Sequence, residues 1–242
     1  SALIVTIGEP VKDDCLWLEI TASIGIATTS DLANDTLLDA DTLVHRADLA
    51  MYDAKKSGRN RHCRFELRME TEMRLRSELE AGIRSGISAG EFQPYYEQQI
   101  ELETGELAGF EMLARWHSPK HGLVSPDVFI PIAEEMDLIA PLSERLIRLA
   151  LIDAKSWAPH LTLSVNISPV QLRDPWFAQK ILQMLVETGF PPHRLELEIT
   201  ESCLHENIGA VRAIVTSLRN QGIRISLDDF GTGYSSISQL RM

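Results

Sequence analysis

The chain is poor in cysteine: Cys15, Cys63 and Cys203 are far apart, odd in number and without metal-ligand spacing among 242 residues. That excludes a disulfide framework and a thiolate metal site, and it favours a reducing compartment. Histidine forms no metal motif either; His117 and His121 fall in a segment with Pro119 and Gly122 that reads as a loop. Basic charge is in deficit, 23 Lys and Arg against 35 Asp and Glu, for a net charge of -12. A nucleic-acid polymer held by a basic surface is therefore excluded. A small anionic substrate is not, because bound divalent cations invert the local field. No apolar run reaches the length of a membrane span, and Ser1 to Pro10 lacks the basic start of a signal peptide. The chain is thus expected to be soluble and cytoplasmic, with no membrane segment, and its 44% hydrophobic content supports an ordinary core.

Three regions follow one another. In residues 1–64, Trp17 to Ala27 reads as a strand and Asp39 to Ser57 as an amphipathic helix, with Leu43, Ala47, Ala50, Met51 and Ala54 at helical spacing. Arg61 to Leu67 reads as a short closing strand. Residues 65–89 are charged and helical, with a loose stripe of Met69, Met73, Leu79, Ile83 and Ile87 that fits a connecting helix packed on one neighbour. Residues 90–242 alternate in type. Strands are expected at Ala108–Leu113, Leu161–Ile167, Leu195–Ile199 and Ile223–Leu227, and helices within Pro131–Trp157, Pro175–Thr188 and Ile208–Asn220. Such alternation implies a parallel sheet with helical crossovers.

The apolar runs of this third region end on oxygen-bearing side chains: Glu111, Asn166, Glu198, and the pair Asp228 and Asp229. The steps from Asn166 to Glu198 and from Glu198 to Asp228 are 32 and 30 positions, near-constant units that suit a (β/α) barrel. Barrels gather functional groups at the C-terminal ends of their strands. Four carboxylates and one amide are hard ligands of the kind Mg²⁺ and Mn²⁺ prefer, enough to hold two divalent ions. Two such ions activate a water and stabilise the leaving oxygen of a phosphodiester. Strand-end acids that are merely solvated, or that cap the next helix, are the plainer reading of any one residue, and spacing alone names no substrate. Glu201, three residues past Glu198, either accepts backbone N–H groups of the Gly231 loop or is an ordinary acid at a helix N-terminus. Arg115, just past Glu111, carries a planar fork suited to a phosphate.

These residues resemble a known family. Phe110-Glu111-Met112-Leu113-Ala114-Arg115-Trp116 is similar to the signature of the EAL domain, the bacterial cyclic-di-GMP phosphodiesterase. Ser125-Pro126 through Phe129-Ile130-Pro131-Ile132-Ala133-Glu134, then Asn166-Ile167-Ser168, Glu198-Ile199-Thr200-Glu201 and Asp228-Asp229-Phe230-Gly231-Thr232-Gly233 match further blocks in order. The resemblance implies a TIM-like barrel hydrolysing cyclic di-GMP to linear pGpG with two Mg²⁺ or Mn²⁺ ions. It carries Glu111, Asn166, Glu198, Asp228 and Asp229 over as metal ligands, with Glu111, Asp228 and Asp229 catalytic. It makes Arg115 a substrate-phosphate contact and Glu201 the stabiliser of the loop after Asp229, which couples the site to a homodimer formed through the EAL domain.

The first region resembles the end of a GGDEF, or diguanylate cyclase, domain, through Ser23-Ile24-Gly25-Ile26-Ala27, Arg46 to Lys55 and Gly58-Arg59-Asn60-Arg61. Lys55 and Arg59 fall where that family contacts GTP phosphate. The Gly-Gly-Asp-Glu-Phe loop is absent, so no cyclase activity is expected of this chain. The fold class implied is α/β: an incomplete TIM-like (β/α) barrel preceded by the C-terminal part of an α+β GGDEF domain. The barrel reads as cut, because a full one needs roughly 250 residues and the family's catalytic lysine and a further glutamate fall beyond Met242. Glu97-Gln98-Gln99 stands where the family has Gln-Pro-Ile, Met112 where it has alanine, and Asp137 where it often has glycine. The expected consequences are a repulsive carboxylate near the substrate at Glu97, little change at Met112 and an altered turn at Asp137. A noncatalytic cyclic-di-GMP receptor, or a signalling scaffold, is the alternative to hydrolysis.

Overall fold

The computed structural model describes residues 2–8, 10–13, 16–18, 20–29, 39–200 and 208–228. Two compact units divide between Glu78 and Leu79.

The first unit holds α1 (Ala2–Ile7), an antiparallel pair β1 (Val11–Asp13) and β2 (Leu16–Leu18), then β3 (Ile24–Ile26), α2 (Ala40–Lys56), β4 (His62–Arg64) parallel to β3, and the start of α3 (Leu67–Ala89). The long strand expected over Trp17–Ala27 is instead two three-residue pieces. Helix α2 starts where its cap dictates: Asp39 accepts the Thr42 N–H at 2.7 Å, which satisfies an orphan donor of the first turn and holds the carboxyl below its usual range. Lys55 and Lys56 favour the opposite end through the helix dipole. Leu49, Ala50, Phe65 and Met69 form the core. The buried Arg46 lies 5.0 Å over the Phe65 ring and donates to Glu70 at 2.9 Å, so its charge is paired where water is excluded.

In the second unit the end of α3 leads into β5 (Phe92–Ile100), β6 (Leu107–Ser118) and β7 (Gly122–Val124). There follow α4 (Pro126–Glu135), α5 (Ile139–Ala154), β8 (Thr162–Ile167), α6 (Phe177–Thr188), β9 (Leu195–Thr200), α7 (Ile208–Asn220) and β10 (Arg224–Asp228). The sheet order is β10-β9-β8-β6-β5, with β7 hydrogen-bonded to β6. Strands β6, β8, β9 and β10 are parallel, as the alternation of strands and helices requires, while β5 and β7 run antiparallel to β6.

Side chains alternate across each strand. Leu163, Val165, Ile167, Leu195, Leu197 and Ile199 point to one face, each almost fully buried, in a core shared with α4, α5, α6 and α7. Phe92 stacks on Trp116 at 5.1 Å, with Phe129 of α4 edge-on, so the β5–β6 hairpin and α4 share one aromatic cluster. Gly86 in α3 makes this possible, because a Cβ there would come within 2.7 Å of Glu91 Oε2 and 3.1 Å of Phe92. The buried Arg194 donates to the carbonyls of Leu161 at 2.8 Å and Ala154 at 3.0 Å, tying the end of α5 and the start of β8 to the start of β9.

The helical spacing within Pro131–Trp157 is carried by two helices, separated at Met136-Asp137-Leu138. Asp137 sits at φ 56°, the left-handed region that glycine favours and aspartate tolerates better than most residues. Glu111 is not a strand end. Strand β6 runs seven residues past it, because its second half pairs with β5 and β7 after the ladder with β8 stops at Met112. His117 therefore lies in a strand and not in a loop.

Candidate active site

The face of the sheet opposite the helices is polar, and register decides what meets there. Glu111 is level with Ser164, Asn166 with Glu198, Glu198 with Ser226, and Asp228 with Thr200. Glu111, Asn166, Glu198 and Asp228 thus climb stepwise across β6, β8, β9 and β10 on one face, near the C-terminal ends of the last three strands. Asn166 Nδ2 donates to Glu111 Oε1 at 2.6 Å, which fixes both side chains. Asp229 and Glu201, and the glycine loop after Asp229, lie outside the described residues.

Glu198 is half-buried, and its carboxyl is pushed above the usual carboxylate range by burial first and by the charges of Glu111 and Asp228. Hydrogen bonds from Ser164 and Gln99 act in the opposite direction. Glu97 stands directly across from Glu111 in the antiparallel ladder, and like charges in such a pair are destabilising. The Ser226 hydroxyl, level with Glu198, is buried and has no partner among the described residues. Among those residues no three acidic, histidine or cysteine side chains converge on one point to hold a metal. The donors nevertheless fit a hard divalent cation. They are all oxygens, they repel one another, and a positive charge between them would relieve both the repulsion and the raised affinity of Glu198 for a proton.

Arg115 is on the same face as Glu111, about 13 Å further along β6 at strand spacing. It donates to the Ala114 carbonyl at 2.9 Å, and its guanidinium lies 5.7 Å from the centre of the Tyr95 ring. The Tyr95 hydroxyl is 3.2 Å from His117 Nε2. The arginine thus stands beyond the carboxylates rather than among them, with an aromatic ring under it. Ser168 donates to Glu134, and its backbone N–H reaches the buried Gln171 side chain at 3.2 Å, which anchors the segment after Asn166 to α4.

Two polar residues on this face escaped the sequence reading. Gln99 Nε2 donates to Glu198 Oε1 at 3.3 Å, and Ser164 Oγ donates to Gln99 Oε1 at 3.0 Å. For Ser164 the signal was there in the alternation of polar with apolar residues through Ser164-Val165-Asn166 and Glu196-Leu197-Glu198, which marks every second position as facing away from the helices.

Residues 80–242 match the EAL domain family. The cyclic di-GMP phosphodiesterase PdeR of Escherichia coli K12 is 32% identical over 243 residues, 99% of this chain and 36% of that protein. The bifunctional diguanylate cyclase/cyclic di-GMP phosphodiesterase MucR of Pseudomonas aeruginosa is 32% identical over 246 residues, again 99% of this chain and 35% of that protein. The chain spans about a third of the length of the curated relatives it matches, from 26% to 36%. Among solved structures, the MucR phosphodiesterase in complex with c-di-GMP superposes with a TM-score of 0.62 at 29% identity, over 67% of this chain and 68% of that one. The EAL enzyme Bd1971 bound to cAMP and cyclic di-GMP superposes with a TM-score of 0.65 at 28% identity, over 85% of this chain and 55% of that one. With the family match covering the whole sheet that carries Glu111, Asn166, Glu198 and Asp228, the chain belongs to the EAL domain family.

Proposed function

We propose that the protein hydrolyses cyclic di-GMP to linear pGpG, using two divalent ions, Mg²⁺ or Mn²⁺. The observation that carries this reading is the set of four oxygen-bearing side chains, Glu111, Asn166, Glu198 and Asp228, brought to one face in register, with the Glu198 carboxyl driven up by burial and by its acidic neighbours. These residues, with Asp229, would hold the ions. When bound, the ions supply charge stabilisation for a phosphodiester and lower the pKa of a water. In the reaction a water oxygen adds to phosphorus and the P–O3′ bond breaks, leaving a 5′-phosphate on one nucleoside and a 3′-hydroxyl on the other.

The chain's own residues orient the parts. Asn166 holds Glu111 by its amide, so the carboxylate does not swing toward Glu97. Arg115 receives a substrate phosphate, and its position over Tyr95 limits the rotamers it must give up on binding. The roles of Asp229 as ligand and of Glu201 as brace of the following loop rest on the motif alone, as does assembly into a homodimer through the EAL domain. Residues 1–64 are proposed to be the closing part of a GGDEF domain, 65–89 a connecting helix and 90–242 the barrel. The alignment with MucR supports this, because it runs over 99% of the chain and so well before the EAL match begins. Among the described residues no helix is long and apolar enough to cross a membrane, and the cytoplasm is the compartment proposed.

The test is chromatographic detection of pGpG from cyclic di-GMP by the full-length protein with Mn²⁺ or Mg²⁺. Product is expected with metal, none with chelator and none from Glu111→Ala. Cyclic di-GMP bound but never cleaved by the metal-loaded protein would make it a receptor instead.

A further inference from the structure

Gln99 belongs to β5, three places from β9 in the sheet order, with β6 and β8 between. In a flat sheet those two strands would stand about 14 Å apart. Glu198 is also level with Asn166, four residues further along β8 than Thr162, the residue level with Gly109 opposite Gln99. Together these offsets exceed the span of the two side chains. The 3.3 Å bond from Gln99 to Glu198 therefore exists only because the sheet curls toward a barrel and brings β5 across its concave face. The residue facing Gln99 on β6 is Gly109, so no side chain stands in its path. Gly109 is itself dictated by the fold, since a Cβ there would fall 2.2 Å from Thr162 Oγ1 and 2.5 Å from the Thr162 carbonyl oxygen.

Chemistry fixes the polarity of the contacts. An ionised carboxylate only accepts, so Gln99 presents its NH₂ to Glu198. Its carbonyl oxygen then takes the Ser164 hydroxyl proton at 3.0 Å. Ser164 is only 1% exposed, so its hydroxyl has no bulk water to turn to. The contact to Glu198 is made through Oε1, and Ser164 also lies within hydrogen-bonding reach of the same carboxylate.

We propose that Gln99, itself oriented by Ser164, is a positioning residue that holds the Glu198 carboxylate in the conformation that receives a divalent cation. This rests on the reading of Glu198 as a metal ligand. Groups that fix a ligand's orientation are worth roughly ten- to a hundredfold in metal affinity. Only glutamine has both the length to cross β6 and an acceptor and a donor on one planar group; leucine has neither group, and a glutamate would set a second negative charge against Glu198.

The test is Mn²⁺ binding to the full-length protein, followed by the electron paramagnetic resonance of the free ion, together with thermal melts of the metal-free protein. Gln99→Leu is expected to weaken Mn²⁺ binding about tenfold or more and to lower the metal-free melt no more than Ser164→Ala does, since both lose the same buried hydrogen bond. Ser164→Ala is expected to weaken Mn²⁺ binding less. In a Glu198→Ala background, Gln99→Leu is expected to have no further effect. Mn²⁺ affinity of Gln99→Leu within about twofold of the parent would overturn the proposal while leaving the phosphodiesterase reading standing. A loss that persists undiminished in Glu198→Ala would overturn it too, by showing that Gln99 acts elsewhere. A parent protein that takes up no Mn²⁺ would overturn both.

Discussion

The two faces of β8 and β9 are made from neighbouring residues and do opposite work. Leu163, Val165, Ile167, Leu195, Leu197 and Ile199 are sealed against helices. Ser164, Asn166, Glu196 and Glu198, interleaved with them, face the other way, where Glu198 meets the charges of Glu111 and Asp228. One face contributes stability by removing apolar area from water; the other spends part of it to keep carboxylates close together. The period of two ties these together, because a one-residue slip in register would bury the acids and expose the aliphatics.

Breaking each face in turn should separate the two roles. The largest effect is expected from Glu111→Ala, with pGpG formation down roughly a thousandfold, the scale of losing one group that stabilises transition-state charge. Its urea midpoint should not fall. Leu163→Ala, on the other face, should lose about 3 kcal/mol in urea unfolding through the cavity it leaves, with the Mn²⁺ affinity of the folded protein unchanged. Arg115→Ala should raise KM for cyclic di-GMP about tenfold, the scale of one charge-assisted hydrogen bond, and leave Mn²⁺ binding intact, because the arginine stands beyond the carboxylates.

The smallest effect sharpens the comparison most. Because the Glu198 carboxyl is raised, the folded protein holds that proton more tightly than the unfolded chain does. The stability this group contributes is complete below the ordinary carboxylate range and is lost as pH rises through the raised value. Glu198→Gln, neutral throughout, should therefore melt a few degrees higher than the parent at pH 7 without metal, and the gap should close as pH falls below the carboxylate range. A lower melt at pH 7 would show that the polar face carries no such strain.

Much of this arrangement was legible in the residues. The helix over Ile208–Asn220, the strand starting at Leu195 and the helix that follows Asp39 lie where periodicity placed them. Strand β5 was not legible. Phe92–Ile100 contains a proline and four exposed or half-exposed polar side chains, because it sits at one end of the described sheet and lends its inner face to the site. The continuation of β6 past Glu111 was hidden for a related reason: a charge inside a strand looks like its end unless the concave face is known to be polar. The proposed ligand positions Glu111, Asn166, Glu198 and Asp228 were readable one by one, as acids or amides after apolar runs. Gln99 was not, since its partners lie two and three strands away and only the curl of the sheet brings them within reach.

Whether the polar face is a divalent-cation site for a cyclic dinucleotide is tested most directly by anomalous diffraction from crystals of the protein grown with cyclic di-GMP and soaked in Mn²⁺. Two manganese peaks among Glu111, Asn166, Glu198 and Asp228, with the phosphodiester against them, are the predicted result. A cyclic dinucleotide seated on this face with no manganese beside those side chains would contradict it.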